Sequence, residues 1–566
     1  MFTINPNASN FCREKITDQE IQSYPKTILW NKSTDCCSWD GVHCDEMTGQ
    51  VIELDLSYST LQGKFHSNST LFQLSNLKRL DLSCNNFTGS LISPKFGEFS
   101  SLTHLDLSEL LDLGNNHLKG SISRLSRFGK LKELSLRNNN FDGQLEFLSF
   151  NRSWTQLKWL DFTSNFLTGP IPSNVSGLQN LQSLFLSSNN LNGTIPSWIF
   201  SLPSLSELEL NNNTFSGKIQ EFKSKTLSQV DLKQNQLDGP LPNSLLNQPI
   251  LTYLLLSHNN ISGQIASTIC NLKELTVLNL RNNNLEGTIP QCLGEMNEYL
   301  WNLDLSNNSL SGTININFSI GNSFRVISLH GNKLTGKVPP SLINCKYLTL
   351  LDIGNNQLND TFPNWLGNLP DLQILSLRSN KFHGPIKSSG NTNLFARIQI
   401  LDLSSNGFSG HIPASLQNLS VLESLDLSSN KISGEIPQQL ASLTFLAVLN
   451  LSHNHLVGCI PKGKQFDTFE NTSYQGNDGL RGLPLSKHCG GDDRVPQAIT
   501  PSELDQEEEE DSPMISWQAV LMGYGCGLVI GLSNYYENEK AREKILVSSY
   551  LQDKVSEDAD KSLYLS

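Results

Sequence analysis

From residue 51 to 461 the leucines fall in one recurring frame, LxxLxxLxLxxNxLxGxIP. Clean copies are "LQSLFLSSNNLNGTIP" (181–196) and "LESLDLSSNKISGEIP" (422–437). At the LxL pair apolar and polar residues alternate, which is the period of a half-buried strand. The asparagine recurs at Asn85, Asn116, Asn139, Asn165, Asn189, Asn213, Asn235, Asn259, Asn283, Asn308, Asn332, Asn356, Asn380, Asn406, Asn430 and Asn454, at steps of 22 to 26 after Asn116. The pattern predicts one short strand per coil, each stacked in parallel on the next. No coil buries its apolar face alone, so stability comes from neighbours and the ends need caps. The expected fold class is an α/β repeat solenoid with a parallel β-sheet on its concave face. Each asparagine is expected to turn inward and satisfy backbone groups where the coil bends. The glycine suits a close approach or a positive φ, and the Ile-Pro step an extended flank.

Composition adds a compartment. The 566 residues carry a net charge of -13, with an acidic run "SELDQEEEED" at 502–511. Such a chain has no electrostatic footprint for nucleic acid. Of the eleven cysteines, Cys12, Cys36, Cys37, Cys44, Cys459 and Cys489 cluster towards the ends of the repeats, which suggests stapled caps and an oxidising compartment. Cys270, Cys292 and Cys345 read as small buried hydrophobes. Roughly fifteen Asn-x-Ser/Thr sequons, including Asn31, Asn68, Asn86, Asn151, Asn174, Asn260, Asn317, Asn418 and Asn471, fit a secreted, glycosylated ectodomain. The start "MFTINPNASN" has neither a basic n-region nor an apolar h-region, so a secretory leader is not visible in it.

Met514 to Leu532 is uncharged. As a helix it rises about 28 Å against a hydrocarbon thickness of about 30 Å. Trp517 stands at one end and Tyr535 and Tyr536 at the other. Acid precedes the run, and Lys540, Arg542 and Lys544 follow it, which places its N-terminal side outside. Gly523, Gly527 and Gly531 fall on one helix face as GxxxGxxxG, a face that lets another helix approach.

Four stretches narrow the family: "WNKSTDCCSWDGVHCDEMTGQVIELDLS" (30–57), "GLPLSKHCGG", "ELDQEEEEDSP" and "MISWQAVLMGYGCGLVIGL". Together with the repeat they resemble the plant extracellular leucine-rich-repeat receptor-like proteins. The chain is most similar to the tomato leaf-mould (Cladosporium) disease-resistance receptors, which detect fungal effectors at the cell surface. The resemblance implies an incomplete cysteine cap at 1–50, about 17 repeats over 51–461, a C-terminal cap at 462–490, an acidic juxtamembrane linker at 491–513, a transmembrane helix at 514–532 and a short cytoplasmic tail at 533–566. It implies disulfides Cys37–Cys44, Cys12–Cys36 and Cys459–Cys489, a single-pass type I place in the cell membrane, and signalling through adaptor and co-receptor kinases. The glycine face of the span would meet a partner kinase's helix. The chain departs from these relatives in lacking a leader, in lacking the non-repeat island that precedes their last coils, and in its tail. In "LTHLDLSELLDLGNNHLKG" (102–120) a second strand also begins seven residues after the first, which reads as a deletion scar.

For a pathogen effector or other protein or peptide ligand, the expected contacts are Trp159, Phe185, Tyr253, Leu255 and Val277, flanked by Glu207, Glu209 and Arg281, because exposed aromatics are enriched at binding hot spots. Ile374, Arg378, Ile400 and Val448 form a second strip near the C-terminal end, which the resemblance implies would face a co-receptor kinase. His453 and His455 lie inside the repeat template, and no metal-site, phosphate-loop or nucleophile–base motif occurs. The expectation is a non-enzyme with no cofactor and no metal. The readings left open are a truncated non-functional or decoy paralogue, a soluble inhibitor of microbial cell-wall hydrolases, and a component of a developmental peptide receptor.

Overall fold

The computed structural model describes residues 3–5, 15–16, 19–20, 23–64, 66, 68–87, 90–91, 93–108, 118–121, 130–145, 154–175, 177–296, 299–386, 394–485 and 489. They belong to two units, Met1–His383 and Gly384–Ser566.

In the first unit the LxL strands form an inner parallel sheet. It runs from Val51–Asp55 through Arg79–Asp81, His104–Asp106, Glu133–Ser135 and Trp159–Asp161 to Ile374–Ser376. The central leucines sit in register, Leu54 on Leu80, Leu80 on Leu105, Leu160 on Leu184. Leu80, Leu134, Leu160 and Leu208 are fully buried, and each such side chain stabilises the fold by about 2 kcal/mol. Val42–Cys44 caps the first strand antiparallel. In the second unit Ile400–Asp402, Ser424–Asp426 and Val448–Asn450 repeat the arrangement.

A second parallel sheet accompanies the first, built by the segment after each ladder asparagine. Phe166–Pro170 pairs with Asn190–Thr194, and Asn190–Thr194 with Thr214–Lys218. The flanks carry 3-10 turns such as Ser267–Asn271 and Gln291–Glu295. The α-helix among the described residues is a single turn, Ser197–Phe200. The expected repeat solenoid with a parallel inner sheet is present, and among the described residues its flanks hold 3-10 turns where the α/β class led one to expect α-helices. The short, proline-led flanks close one 3-10 turn, too little for an α-helix to propagate.

Among the described residues the asparagine ladder forms as expected; Asn116 lies outside them. In one coil Asn259 Oδ1 accepts from Leu237 N at 2.9 Å, while its Nδ2 donates to Leu232 O at 2.9 Å, Leu256 O at 3.2 Å and Ser257 O at 3.3 Å. The residue just before each described ladder position has positive φ, for example Ser188 at 55°, His258 at 57° and Ser429 at 53°. That conformation costs a non-glycine residue roughly 1–2 kcal/mol, offset by the hydrogen bonds it aims. The repeat glycine is needed where Gly217 sits at φ 76°, since a Cβ there meets Thr194 Cγ2 at 2.9 Å. The C-terminal cap continues the ladder. Asn477 Oδ1 accepts from Leu456 N at 3.0 Å and its Nδ2 donates to Leu451 O at 2.9 Å.

Cys37 is bonded to Cys44 and Cys459 to Cys489, as the resemblance implied. Cys36 is half-buried; its expected partner Cys12 lies outside the described residues. Cys345 is buried. Cys270 and Cys292, expected as buried hydrophobes, instead form a disulfide between the 3-10 turns of adjacent coils. Both are half-buried. A separation of 22 residues, close to one repeat, sets them side by side.

Candidate ligand-binding face

Each inner strand sends two side chains outward around its buried leucine, and a third follows just after it. In the first unit the first column reads Glu53, Arg79, His104, Glu133, Trp159, Ser183, Glu207, Gln229, Tyr253, Val277. The second reads Asp55, Asp81, Asp106, Ser135, Asp161, Phe185, Glu209, Asp231, Leu255, Asn279.

The proposed central strip is brought together on consecutive strands, Trp159 beside Ser183, Phe185 beside Glu209, and Tyr253 beside Val277. Trp159 is 39% exposed and its ring lies 4.7 Å from that of Phe185. Glu207, Glu209, Tyr253, Leu255 and Arg281 are half-buried. Phe185 and Val277 are buried, which corrects the expectation that both face solvent. In the second strip Val448 is 55% exposed, whereas Ile374, Ile400 and Arg378 are buried. The sequence argument gives the direction of a side chain from the pleat but not its cover. Bulky residues repeat in one column, as Val326, Leu350 and Ile374 do, and at a strand spacing of about 4.8 Å they shield one another.

The electrostatics single out the acids. Burial, and then the charge of Asp231, push the Glu209 carboxyl up to about 7; Gln229 Nε2 donates to its Oε1 at 2.6 Å. Burial and the charge of Asp106 raise Asp81 to about 6. Asp231 holds Lys233 at 2.9 Å. Further along the sheet, His330 Nδ1 lies 3.5 Å from Asp352 Oδ1. Burial alone would raise Asp352, but His330 brings it below the usual range. A carboxyl whose folded pKa is raised binds its proton more tightly in the folded state, so stability falls as pH rises from the unfolded value through the folded one. The melting temperature is therefore expected to be higher at pH 5 than at pH 7.5. Glu209→Gln should flatten that difference, measured by calorimetry at both pH values.

A cavity of about 550 Å³ opens on the same sheet, lined among others by Arg79, Asp81, His104, Asp106, Arg137 and Trp159. Sequence reasoning missed it apart from Trp159. Its signal was the run of aspartates at one column position in consecutive copies.

Of the sequons, Asn31, Asn68, Asn174, Asn260, Asn317, Asn418 and Asn471 are exposed and Asn86 is half-buried; Asn151 lies outside the described residues. So do the acidic run, Met514 to Leu532 with Gly523, Gly527 and Gly531, and the junction at 109–117. Among the described residues no helix is long and apolar enough to cross a membrane.

Comparison with known proteins agrees with this geometry. The leucine rich repeat N-terminal domain matches residues 20–45, and leucine rich repeat models match 76–97, 155–215, 251–272, 274–296, 322–382 and 396–456. The receptor-like protein Cf-9 homolog of Solanum lycopersicum is 54% identical, over 95% of this chain and 94% of that one. Receptor-like protein Cf-9 of Solanum pimpinellifolium is 53% identical, over 95% and 91%. The ectodomain resembles the crystal structure of the Arabidopsis receptor kinase HAESA in complex with the peptide hormone IDA and the co-receptor SERK1. Its TM-score is 0.60 at 29% identity, covering 81% of this chain and 95% of that one.

Repeat, caps and inner sheet define a leucine-rich-repeat receptor ectodomain. The chain belongs to the plant receptor-like proteins of the Cf-9 family. The alignment with the tomato relative runs over 795 positions, 229 more than the 566 residues here. At least that many positions of the alignment face no residue of this chain.

Proposed function

We propose that this chain is a cell-surface receptor without a kinase, which recognises a pathogen-derived protein or peptide on its inner sheet and signals in plant defence through partner receptor kinases. The observation that carries the reading is its near end-to-end likeness to Cf-9 and its homolog. The contact residues are Trp159, Glu207, Glu209, Tyr253, Leu255 and Arg281, with Phe185 and Val277 beneath them. Val448 belongs to the surface offered to a co-receptor, the kind of partner present in the HAESA complex. Residues 491–513 form the acidic linker, 514–532 the span and 533–566 the tail. Glycans on the exposed sequons limit where partners can approach. The protein performs no catalysis itself.

The test is expression of the full chain behind a secretory leader in leaf cells. The expected result is a glycosylated protein that stays in the membrane pellet after an alkaline wash and co-precipitates a receptor kinase. Recovery in the soluble apoplastic fraction, with no kinase bound, overturns the reading.

A further inference from the structure

Within the inner sheet one coil shows how a cation docks. Ser57 donates from N and Oγ to Asp55 Oδ1 at 2.9 and 2.6 Å. On that Asp-x-Ser clasp sits Lys26, with Nζ 2.9 Å from Asp55 Oδ1 and 3.3 Å from Ser57 Oγ. The clasp recurs on the next strand, where Ser83 N and Oγ donate to Asp81 Oδ1 at 3.0 and 2.7 Å. On the strand after that, Ser108 N donates to Asp106 Oδ1 at 2.9 Å. Asp55, Asp81 and Asp106 are register partners in sequence.

Among the described residues, the first clasp of this run is the one that holds a cation. Arg79 is engaged with Glu53 at 3.3 Å and His104 with Glu133 at 3.5 Å; Arg79 acts on Asp106 only at longer range. Among the described residues neither Asp81 nor Asp106 has an ion-pair partner. Further along the column Asp231 has its own cation, Lys233. Asp81 and Asp106 are thus two adjacent, half-buried acids that raise one another's cost of ionisation, and both line the 550 Å³ cavity. Trp159 stands on the wall of that cavity two strands beyond Asp106.

We propose that Asp81 and Asp106 form the seat for a basic side chain, lysine or arginine, of the ligand, docked as Lys26 docks on Asp55. The inference rests on the reading of this sheet as the ligand face. A cation placed there relieves the repulsion between the two carboxylates and gains charge-assisted hydrogen bonds. The exposed ring of Trp159 packs against the ligand segment that carries it. The partner surface is therefore a basic segment of a protein or peptide, rather than an acidic or purely apolar one.

The test is calorimetric titration of the full-length protein with a capped Gly-Ser-Lys repeat peptide, and with the same peptide bearing norleucine for lysine. Only the lysine peptide is expected to bind. Asp81→Asn with Asp106→Asn should weaken it at least about tenfold and leave the melting temperature equal or higher, because Asn keeps the serine hydrogen bonds and removes the repulsion. Asp142→Asn with Asp238→Asn, an equal loss of charge on the second sheet, should leave affinity unchanged. Equal affinity in the Asp81/Asp106 variant, or equal loss in the Asp142/Asp238 variant, overturns the seat. Each single variant is titrated too, so a fold defect in the double variant leaves the question decidable. A failed titration with kinase co-precipitation intact removes the seat and leaves the receptor reading standing.

Discussion

Asn259→Ala is expected to destabilise its coil by about 3 kcal/mol, although the side chain touches no ligand and carries no charge. Four hydrogen bonds end on that one amide, and the residue is 7% exposed. Removing it leaves the Leu237 N–H and three carbonyls short of a partner inside the coil. Each buried group left unsatisfied costs about 1–3 kcal/mol, reduced where water or relaxation supplies a substitute. Stability in a stacked array is a nearest-neighbour property, so the loss should be local. Hydrogen exchange should quicken at Leu237 and in the coils on either side, with protection kept in the second unit. Uniform loss of protection through both units would show that the ladder acts globally.

Joint replacement of Cys270 and Cys292 by serine should cost about as much. A bridge closing a loop of this size is worth about 3 kcal/mol by its effect on the unfolded chain. Because it ties adjacent outer turns, the substitution leaves the inner sheet and its side chains untouched. The denaturation midpoint should fall relative to the parent protein, both being measured without reductant so that the cap bridges Cys37–Cys44 and Cys459–Cys489 stay closed. An unchanged midpoint would mean that neighbouring coils are held by packing alone.

The sequence made the repeat legible because each position has a separate physical duty. Leucines at LxL must face the core, asparagines such as Asn189 must feed the bend, and glycines such as Gly217 must admit the previous coil. The second sheet was not legible, since segments such as Phe166–Pro170 show no clean alternation and hold together only through the parallel partner on the next coil. The positive φ before each ladder asparagine was also hidden. Ser, His and Asn all occupy that position, and the demand comes from the backbone. The Cys270–Cys292 bridge left a signal in its near-repeat spacing, but buried and bonded cysteines look alike in a single sequence.

At the candidate site, direction was legible and cover was not. Pleat alternation placed Trp159, Glu207 and Tyr253 outward correctly. It could not foresee that Ile374 or Phe185 would be shielded by neighbours distant in sequence. Nor did it show which aspartates of one column carry a cation: Lys26, which reaches Asp55, comes from the cap rather than from the repeat.

Recognition of a pathogen-derived ligand by the inner sheet is tested most directly in leaf tissue that makes the full chain behind a secretory leader. Apoplastic fluid from fungus-infected leaves is infiltrated, and peroxide release is recorded beside fluid from healthy leaves. The predicted result is a burst with infected fluid alone, lost when Trp159→Ala, Glu207→Gln and Glu209→Gln are combined in a protein that still reaches the membrane. No burst, or a burst of equal size in the triple variant, would contradict it.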